Sequence, residues 1–506
     1  MTPPADADVS RRDVARGAGL AALARLGALV EVVAQPIYTW LFGIATYGIY
    51  TVLWAAVNIL ENIIDLSMTQ ALQRVVPVEG EEGAHAAVKF ALIVSVGPAV
   101  LVALAISLLA HPVAALLSAA PEDLAQLPLA IALFAWALPL WTFVEVATSA
   151  ARARRAFGPE IRLRIMWEQV ARLLFAIALF AVGVESIGLL LAHLLSLLMT
   201  AILSVRLLCR YYDGRLLLRA RVSPRLRRTL LASGFALLPA SITRRMFNDL
   251  PPIILNVLLP GASGATAAGL FGIARKVASI PMIVRQAFQY VLAPLASSQA
   301  ARDRSAIGPL FAFSTRLSVV FVVPLTALII LISNDILSAF APEAAAALPV
   351  LVILVLARGM EAVVGPATPL VEMIGHRILP LLNSLIGLAA WLALGLWLGP
   401  GLGATGMAIA VGIGSVLIAW AATVELRISD GLLPFDRGSG RSLAIALVGA
   451  AGLALAGHAL APLGARPRAI GLLLLFWPAL WLVLRYGLGP ADRGAFGKLG
   501  RKIGLA

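Results

Sequence analysis

Long apolar runs separated by short polar turns repeat along nearly the whole chain. About fourteen of them reach roughly 20 residues, the length an α-helix needs to cross a hydrocarbon core about 30 Å thick. They fall at approximately 17–42, 47–74, 86–110, 124–150, 161–183, 186–208, 229–258, 264–295, 309–332, 345–371, 378–398, 403–427, 441–462 and 468–488. Inside a bilayer no water is present to bond the backbone. Each segment must therefore satisfy its own N–H and C=O groups, which predicts helices throughout. Pro36, Pro139, Pro239, Pro281, Pro324 and Pro366 lie within segments, and each should kink its helix by removing a backbone donor.

Composition agrees. Of 506 residues, 60% are hydrophobic and only 13% charged, against about 25% charged in soluble domains. This excludes a soluble globular protein. The single cysteine, Cys209, excludes an internal disulfide and cysteine-based metal or redox motifs. The five histidines show no ligand spacing, so neither a metal nor a cofactor is expected. The first apolar stretch is too long for a signal-peptide core and has no clear cleavage site, so it is predicted to remain as a helix.

The formal charge of +14 would suggest nucleic acid in a soluble protein, but its distribution excludes that partner here. One set of turns receives Arg11, Arg12, Arg16, Arg74, Lys89, Arg152, Arg154 and Arg155, a dense run over 206–228, and the basic tail. The opposite turns carry Glu122, Asp123, Glu185, Asp335 and Glu343, with only Arg466 and Arg468 as cations. Positive residues stay cytoplasmic, so both termini are predicted inside.

The chain also repeats itself. YGIYTVLWAAV from Tyr47 matches AGLFGIARKVA from Ala268, placing Gly48 and Gly269 221 residues apart. ESIGLLLAHLLSLL from Glu185 matches ATGMAIAVGIGSVL from Ala404, placing Gly188 and Gly406 218 apart. Two matches at nearly one offset indicate two six-helix halves, parallel because each holds an even number of helices. The expected fold is an all-α polytopic membrane protein of about fourteen transmembrane helices, with two parallel six-helix lobes plus two C-terminal helices. Its divisions are a cytoplasmic tail 1–16, an N-terminal lobe 17–209, a cytoplasmic linker 210–228, a C-terminal lobe 229–430, and two extra helices with a cytoplasmic tail over 431–506.

Five cations interrupt two adjacent apolar segments: Arg244 and Arg245 in the seventh, Arg275, Lys276 and Arg285 in the eighth. A charge at bilayer depth costs roughly 2.5–3.5 kcal/mol on insertion scales, so it must face a partner or a wet cavity. Arg245 and Asp249 are four apart and can pair on one face. Arg244 points about 100° away from that face and has no partner at that spacing. Five charges of one sign, against one acid, predict a cavity for an anion. Acids that could instead pair with them are Glu31, Glu61, Asp65, Glu145 and Glu361. Arg358 with Glu361, and Glu168 with Arg172, are spaced to neutralise each other locally. Glu61 and Asp65 are like charges on one face, a spacing that calls for a cation or a proton. Glu31, Glu61, Asp65, Asp249 and Glu361 are therefore the candidates for coupling to Na⁺ or H⁺ or for gating. Trp40, Trp141 and Trp167 could stack on sugars or belt the membrane interface.

LFGIATYGIYTVL at 41–53, TQALQRVVP at 69–77, GLFGIARKVASIP at 269–281, VLAPLAS at 291–297 and LGPGLGATGMAIAVGIGSVL at 398–417 resemble the multidrug/oligosaccharidyl-lipid/polysaccharide exporter superfamily. Within it the chain is most similar to the bacterial polysaccharide (O-antigen type) flippases. Its motifs match neither the lipid II flippase branch nor a multidrug-exporter cation site strongly. The resemblance spans nearly the whole chain. It implies an inner-membrane transporter whose two lobes rock to open a central cavity to each side in turn. The implied cargo is an undecaprenyl-pyrophosphate-linked oligosaccharide for polysaccharide or lipopolysaccharide biosynthesis. Membrane lipids, a polysaccharide polymerase and glycosyltransferases are the implied partners. Arginine forks bind phosphate oxygens bidentately, which suits the five cations to a pyrophosphate headgroup. A multidrug or small-cation antiporter of the same architecture is the alternative, though it would favour an acidic or neutral cavity. A membrane polymerase or ligase should carry a large external loop, and none is visible, so an enzyme is not expected.

Overall fold

The computed structural model describes residues 11–156, 158, 161–282, 307–374, 378–494 and 496–505. The apolar runs become helices: α1 (Arg11–Ile64), α2 (Met68–Val75), α3 (Glu81–Leu108), α4 (Leu127–Phe134), α5 (Ala137–Ala153), α6 (Glu168–Ala181), α7 (Gly188–Tyr211), α8 (Pro224–Leu258) and α9 (Ala262–Ala278). After Ile307 come α10 (Ile307–Leu331), α11 (Leu348–Val363), α12 (Ala367–Ile374), α13 (Leu379–Asp430), α14 (Arg437–Ala459), α15 (Ala465–Gly487) and α16 (Pro490–Gly494). Nine helices among the described residues are long and apolar enough to cross a membrane. Both α1 and α13 join two helices across a single non-helical glycine. The protein is an all-α polytopic membrane protein.

The contacts divide the chain into two compact units, Met1–Arg245 and Met246–Ala506. In the first, Met68, Leu72 and Val75 of α2 pack on a stripe of Ala84, Ala87 and Ala91 in α3, with Val146 and Ala150 of α5. Small residues let membrane helices approach closely, where dispersion and close packing replace the hydrophobic drive. The basic segment after α7 is tied to the same unit: Lys89 donates to Leu218 O and Ala220 O, and Tyr212 donates to Ala150 O. In the second, α10, α14 and α15 bury Leu317, Val320, Leu328, Leu453, Leu472, Leu480 and Val483 together.

Glycines make the sharp turns. Gly43 (φ 79°) and Gly261 (φ 58°) lie 218 residues apart, and Gly183 (φ 81°) and Gly403 (φ 55°) lie 220 apart. These left-handed values favour glycine, so the offset read from sequence recurs in the backbone. At Gly403 the two halves of α13 fold back on each other. A Cβ at Gly387 would lie 2.9 Å from Gly414 O, and one at Gly414 would lie 2.7 Å from Gly387 O.

One expectation needs correction. Pro366 does not kink a continuous helix: α11 ends at Val363, Gly365 turns with φ 61°, and α12 starts afresh at Ala367. The eighth segment breaks close to Pro281, as expected. A one-residue interruption at Ser279 ends α9 at Ala278, two residues short of Pro281, and helix resumes over 280–282, the local break expected where a proline removes a backbone donor.

Candidate functional site

The break after α9 falls close to Arg275 and Lys276. They lie in the last turn of α9, just before the interruption at Ser279. Arg275 reaches back to the end of α8. Its Nη1 donates to Asn248 O and lies 3.5 Å from Asp249 Oδ1. Asp249 is thus shared with a cation on the next helix, a contact that the i,i+4 spacing to Arg245 did not foresee. Arg244, Arg245 and Lys276 are each engaged in interactions of their own, so Arg244 is not the isolated charge its spacing suggested. Arg285 lies outside the described residues.

Arg275 also lines a small pocket with Phe247, Asn248, Pro251, Leu354 and Arg358. Arg358 sits on α11 and donates to Glu361 at 2.6 Å, as its three-residue spacing predicted. The pocket thus presents two guanidinium groups, each with a carboxylate: Arg275 with Asp249, and Arg358 with Glu361. Its volume is about 10 Å³, room for about one water. Two of the acids singled out from sequence, Asp249 and Glu361, are therefore the partners of pocket cations.

The other acids gather in the first unit. Glu61 and Asp65 are buried. Asp65 stops α1. Leu66 and Ser67 after it adopt left-handed φ of 49° and 57°, and its carboxylate accepts from Thr69 N (3.2 Å), Thr69 Oγ1 (2.9 Å) and Ser95 Oγ (3.1 Å). It therefore caps α2, satisfying a helix-end donor that has no partner within the helix. Gly234 of α8 sits where this break passes: a Cβ there would lie 2.4 Å from Leu66 O. Asn62 donates to Ser241 Oγ at 2.9 Å. Among the described residues Glu61 makes no side-chain hydrogen bond, and the charges that act on it are Glu145, Asp65, Arg245 and Arg164. Glu31 lies on α1.

Glu145 does not serve the cations of α8 and α9. Arg164 holds it with two hydrogen bonds of 2.6 and 3.1 Å and stacks over Trp141, its guanidinium 4.6 Å from the ring centroid. Trp141 is buried, whereas Trp40 and Trp167 are exposed. Arg164 comes from a π-helical turn over Ile161–Trp167. The two arginines inside the apolar run IRLRIMW were the signal available for it. Arg172 pairs with Glu168 as its spacing predicted.

Arg316 on α10 was also missed. Its Nε and Nη2 donate to Asp492 at 2.8 Å each, and its Nη1 donates to Asp436. It therefore fastens α14 and α16 to α10. A cavity of about 270 Å³ beside it is lined by Val319, Val363, Phe435 and Leu443. Nothing in the spacing of residues 316, 436 and 492 reveals the clamp.

Several solved structures share this fold. The chain superposes on a lipid II flippase, MurJ, in its inward closed conformation with a TM-score of 0.69 at 11% identity, covering 91% of this chain and 96% of that one. An inward-facing multidrug resistance MATE family transporter of the MOP superfamily gives 0.60 at 14% identity, covering 81% and 94%. A MOP superfamily transporter from Pyrococcus furiosus, described as having a binding pocket of reverse polarity, gives 0.56 at 14%, also covering 81% and 94%. At these identities the likeness shows the fold, which is that of transporters and flippases. No curated protein matches the chain. The family model for polysaccharide biosynthesis proteins matches residues 14–299, more than half of the sequence, and the chain belongs to that family.

Proposed function

We propose that this protein flips an undecaprenyl-pyrophosphate-linked oligosaccharide across the bacterial inner membrane, by alternating access, for polysaccharide or lipopolysaccharide biosynthesis. The observation that carries this reading is the set of cations inside two adjacent apolar segments in a chain of this family: Arg244, Arg245, Arg275 and Lys276, with Arg285 expected to join them. Such groups persist within a membrane where function needs them. The 3.5 Å separation of Arg275 and Asp249 exceeds the roughly 2.7–2.9 Å of a charge-assisted hydrogen bond. A phosphate oxygen can therefore displace Asp249 from Arg275.

Translocation of this kind makes and breaks no covalent bond, so no enzyme chemistry is invoked. The pyrophosphate is held by cations, the sugars cross in water, and the lipid tail stays in the membrane. Both termini face the cytoplasm in this reading, and the glycosyltransferases and polymerase of the same biosynthesis supply and use the cargo. Glu61, with Asp65 and Glu31, is the candidate for coupling to H⁺ or Na⁺. A multidrug or small-cation antiporter shares the architecture but gains nothing from a cationic wall.

The test is complementation of a flippase-null strain with Arg244→Ala, Arg275→Ala and Arg285→Ala. Each is expected to abolish complementation while membrane levels stay normal. Full activity of all three would refute the anion-holding role.

A further inference from the structure

Asp123 lies in the short helical turn Pro121–Leu124, among the acidic turns opposite the basic ones. It is only 5% exposed. Its Oδ2 accepts from Thr46 Oγ1 of α1 at 2.9 Å. Its Oδ1 is buried and makes no hydrogen bond of good geometry among the described residues. The Ser186 hydroxyl, in the turn before α7, stands beside the carboxylate. A buried charge without a cation or a full set of donors is costly, and an incompletely bonded buried group calls for an explanation. A protonated carboxyl carries a donor besides its acceptors. It suits a site with a hydroxyl bonded to one oxygen and a second hydroxyl near the other.

The surroundings favour that neutral form. Burial pushes the Asp123 carboxyl above the usual carboxylate range, the bond from Thr46 opposes the rise, and Glu122 on the same turn adds to it. α1 and the turn before α7 present hydroxyls to it, and Glu185 beside Ser186 is exposed. The same contacts join several elements. Thr46 follows Gly43, whose φ of 79° breaks α1. On the other side of that break Phe42 meets Phe180 of α6 edge-on at 5.7 Å. Phe42 also fills the space at Gly188 of α7, where a Cβ would lie 2.7 Å from its ring. Asp123 adds the 121–124 turn to this junction.

We propose that Asp123 is a proton-binding site: protonated, it clasps the 121–124 turn to α1 and to the turn before α7, and ionised, it draws in water and releases them. The proton comes from water and returns to it. The only covalent bond formed is O–H on Oδ1, with the Ser186 hydroxyl beside it as acceptor. A divalent cation fits poorly, because one carboxylate and two hydroxyls fall short of the roughly six to eight oxygens of a calcium site. The site is distinct from Glu61 and Asp65, which stand at the far end of α1 from Thr46. A carboxyl whose folded-state value is raised favours the fold while it holds its proton. That share of stability is present at low pH and is lost as pH rises through the folded-state value.

Amide hydrogen exchange reads the clasp directly, since its opening exposes local backbone. The full-length protein in lipid nanodiscs is exchanged at a series of values between about pH 5 and about pH 8, with each rate corrected for the unstructured rate at that pH. In wild type, protection over residues 41–48 and 118–126 is expected to fall about threefold or more across the series. Asp123→Asn, a neutral isostere, should keep the same protection throughout. No response in wild type, or an equal response in Asp123→Asn, overturns the proposal. If Asp123→Asn does not fold, Thr46→Val decides. Losing the donor that favours the charged form should move the release to higher pH, and an unmoved midpoint overturns the proposal equally. The readout needs no transport, so its outcome is independent of what the protein carries.

Discussion

Removing Arg316 should loosen the two C-terminal helices, and the burial of its partners sets the scale. Its side chain is 11% exposed, that of Asp492 12% and that of Asp436 44%. Breaking a buried ion pair by deleting one member costs about 3–5 kcal/mol, because the survivor is left desolvated. An exposed pair contributes about 0–1 kcal/mol. The bidentate Asp492 arm should therefore dominate. Arg316→Ala is expected to lose about 3 kcal/mol or more, Asp492→Ala nearly as much, and Asp436→Asn under about 1 kcal/mol. Arg316→Lys should fall between, since an ammonium cannot form the fork to Asp492. Thermal unfolding of the purified protein in detergent, followed by intrinsic fluorescence, ranks the four variants. Equal losses for Asp436→Asn and Asp492→Ala, or a neutral Arg316→Ala, would refute the burial argument.

Gly414→Ala should force the two halves of α13 apart, since its Cβ would meet Gly387 O at 2.7 Å and the Trp391 Cβ at 3.0 Å. Overpacking of this kind costs about 1–3 kcal/mol, and a wild-type melting temperature would contradict it. Arg164→Ala should destabilise the first unit by leaving Glu145 as an uncompensated half-buried carboxylate near Glu61, and adding Glu145→Gln should restore much of the loss. A double variant no more stable than Arg164→Ala in the same melting assay would count against that account.

The helices were legible because the apolar runs are long and the bilayer leaves the backbone no other solution. The repeat was legible because turns that need glycine keep it, as Gly43 and Gly261 do. Local pairs were legible too: Arg172 with Glu168 and Arg358 with Glu361 lie within one helical turn. What escaped was contact between elements. Arg275 with Asp249, Arg164 with Glu145, and Arg316 with two aspartates each join different helices or turns, and one sequence holds no register between helices.

The one-residue turn at Gly403 has a consequence for how the protein is made. With no loop between them, the two halves of α13 cannot enter the bilayer one after the other and pair later. The first half cannot be left spanning the membrane while its partner is still being synthesised, because the turn alone commits both. They must partition as a preformed hairpin, with Gly387 already against Gly414. A tag or protease site inserted at 403 should therefore block biogenesis, whereas the same insertion between α13 and α14, at 431–436, meets a real connecting segment and should be tolerated.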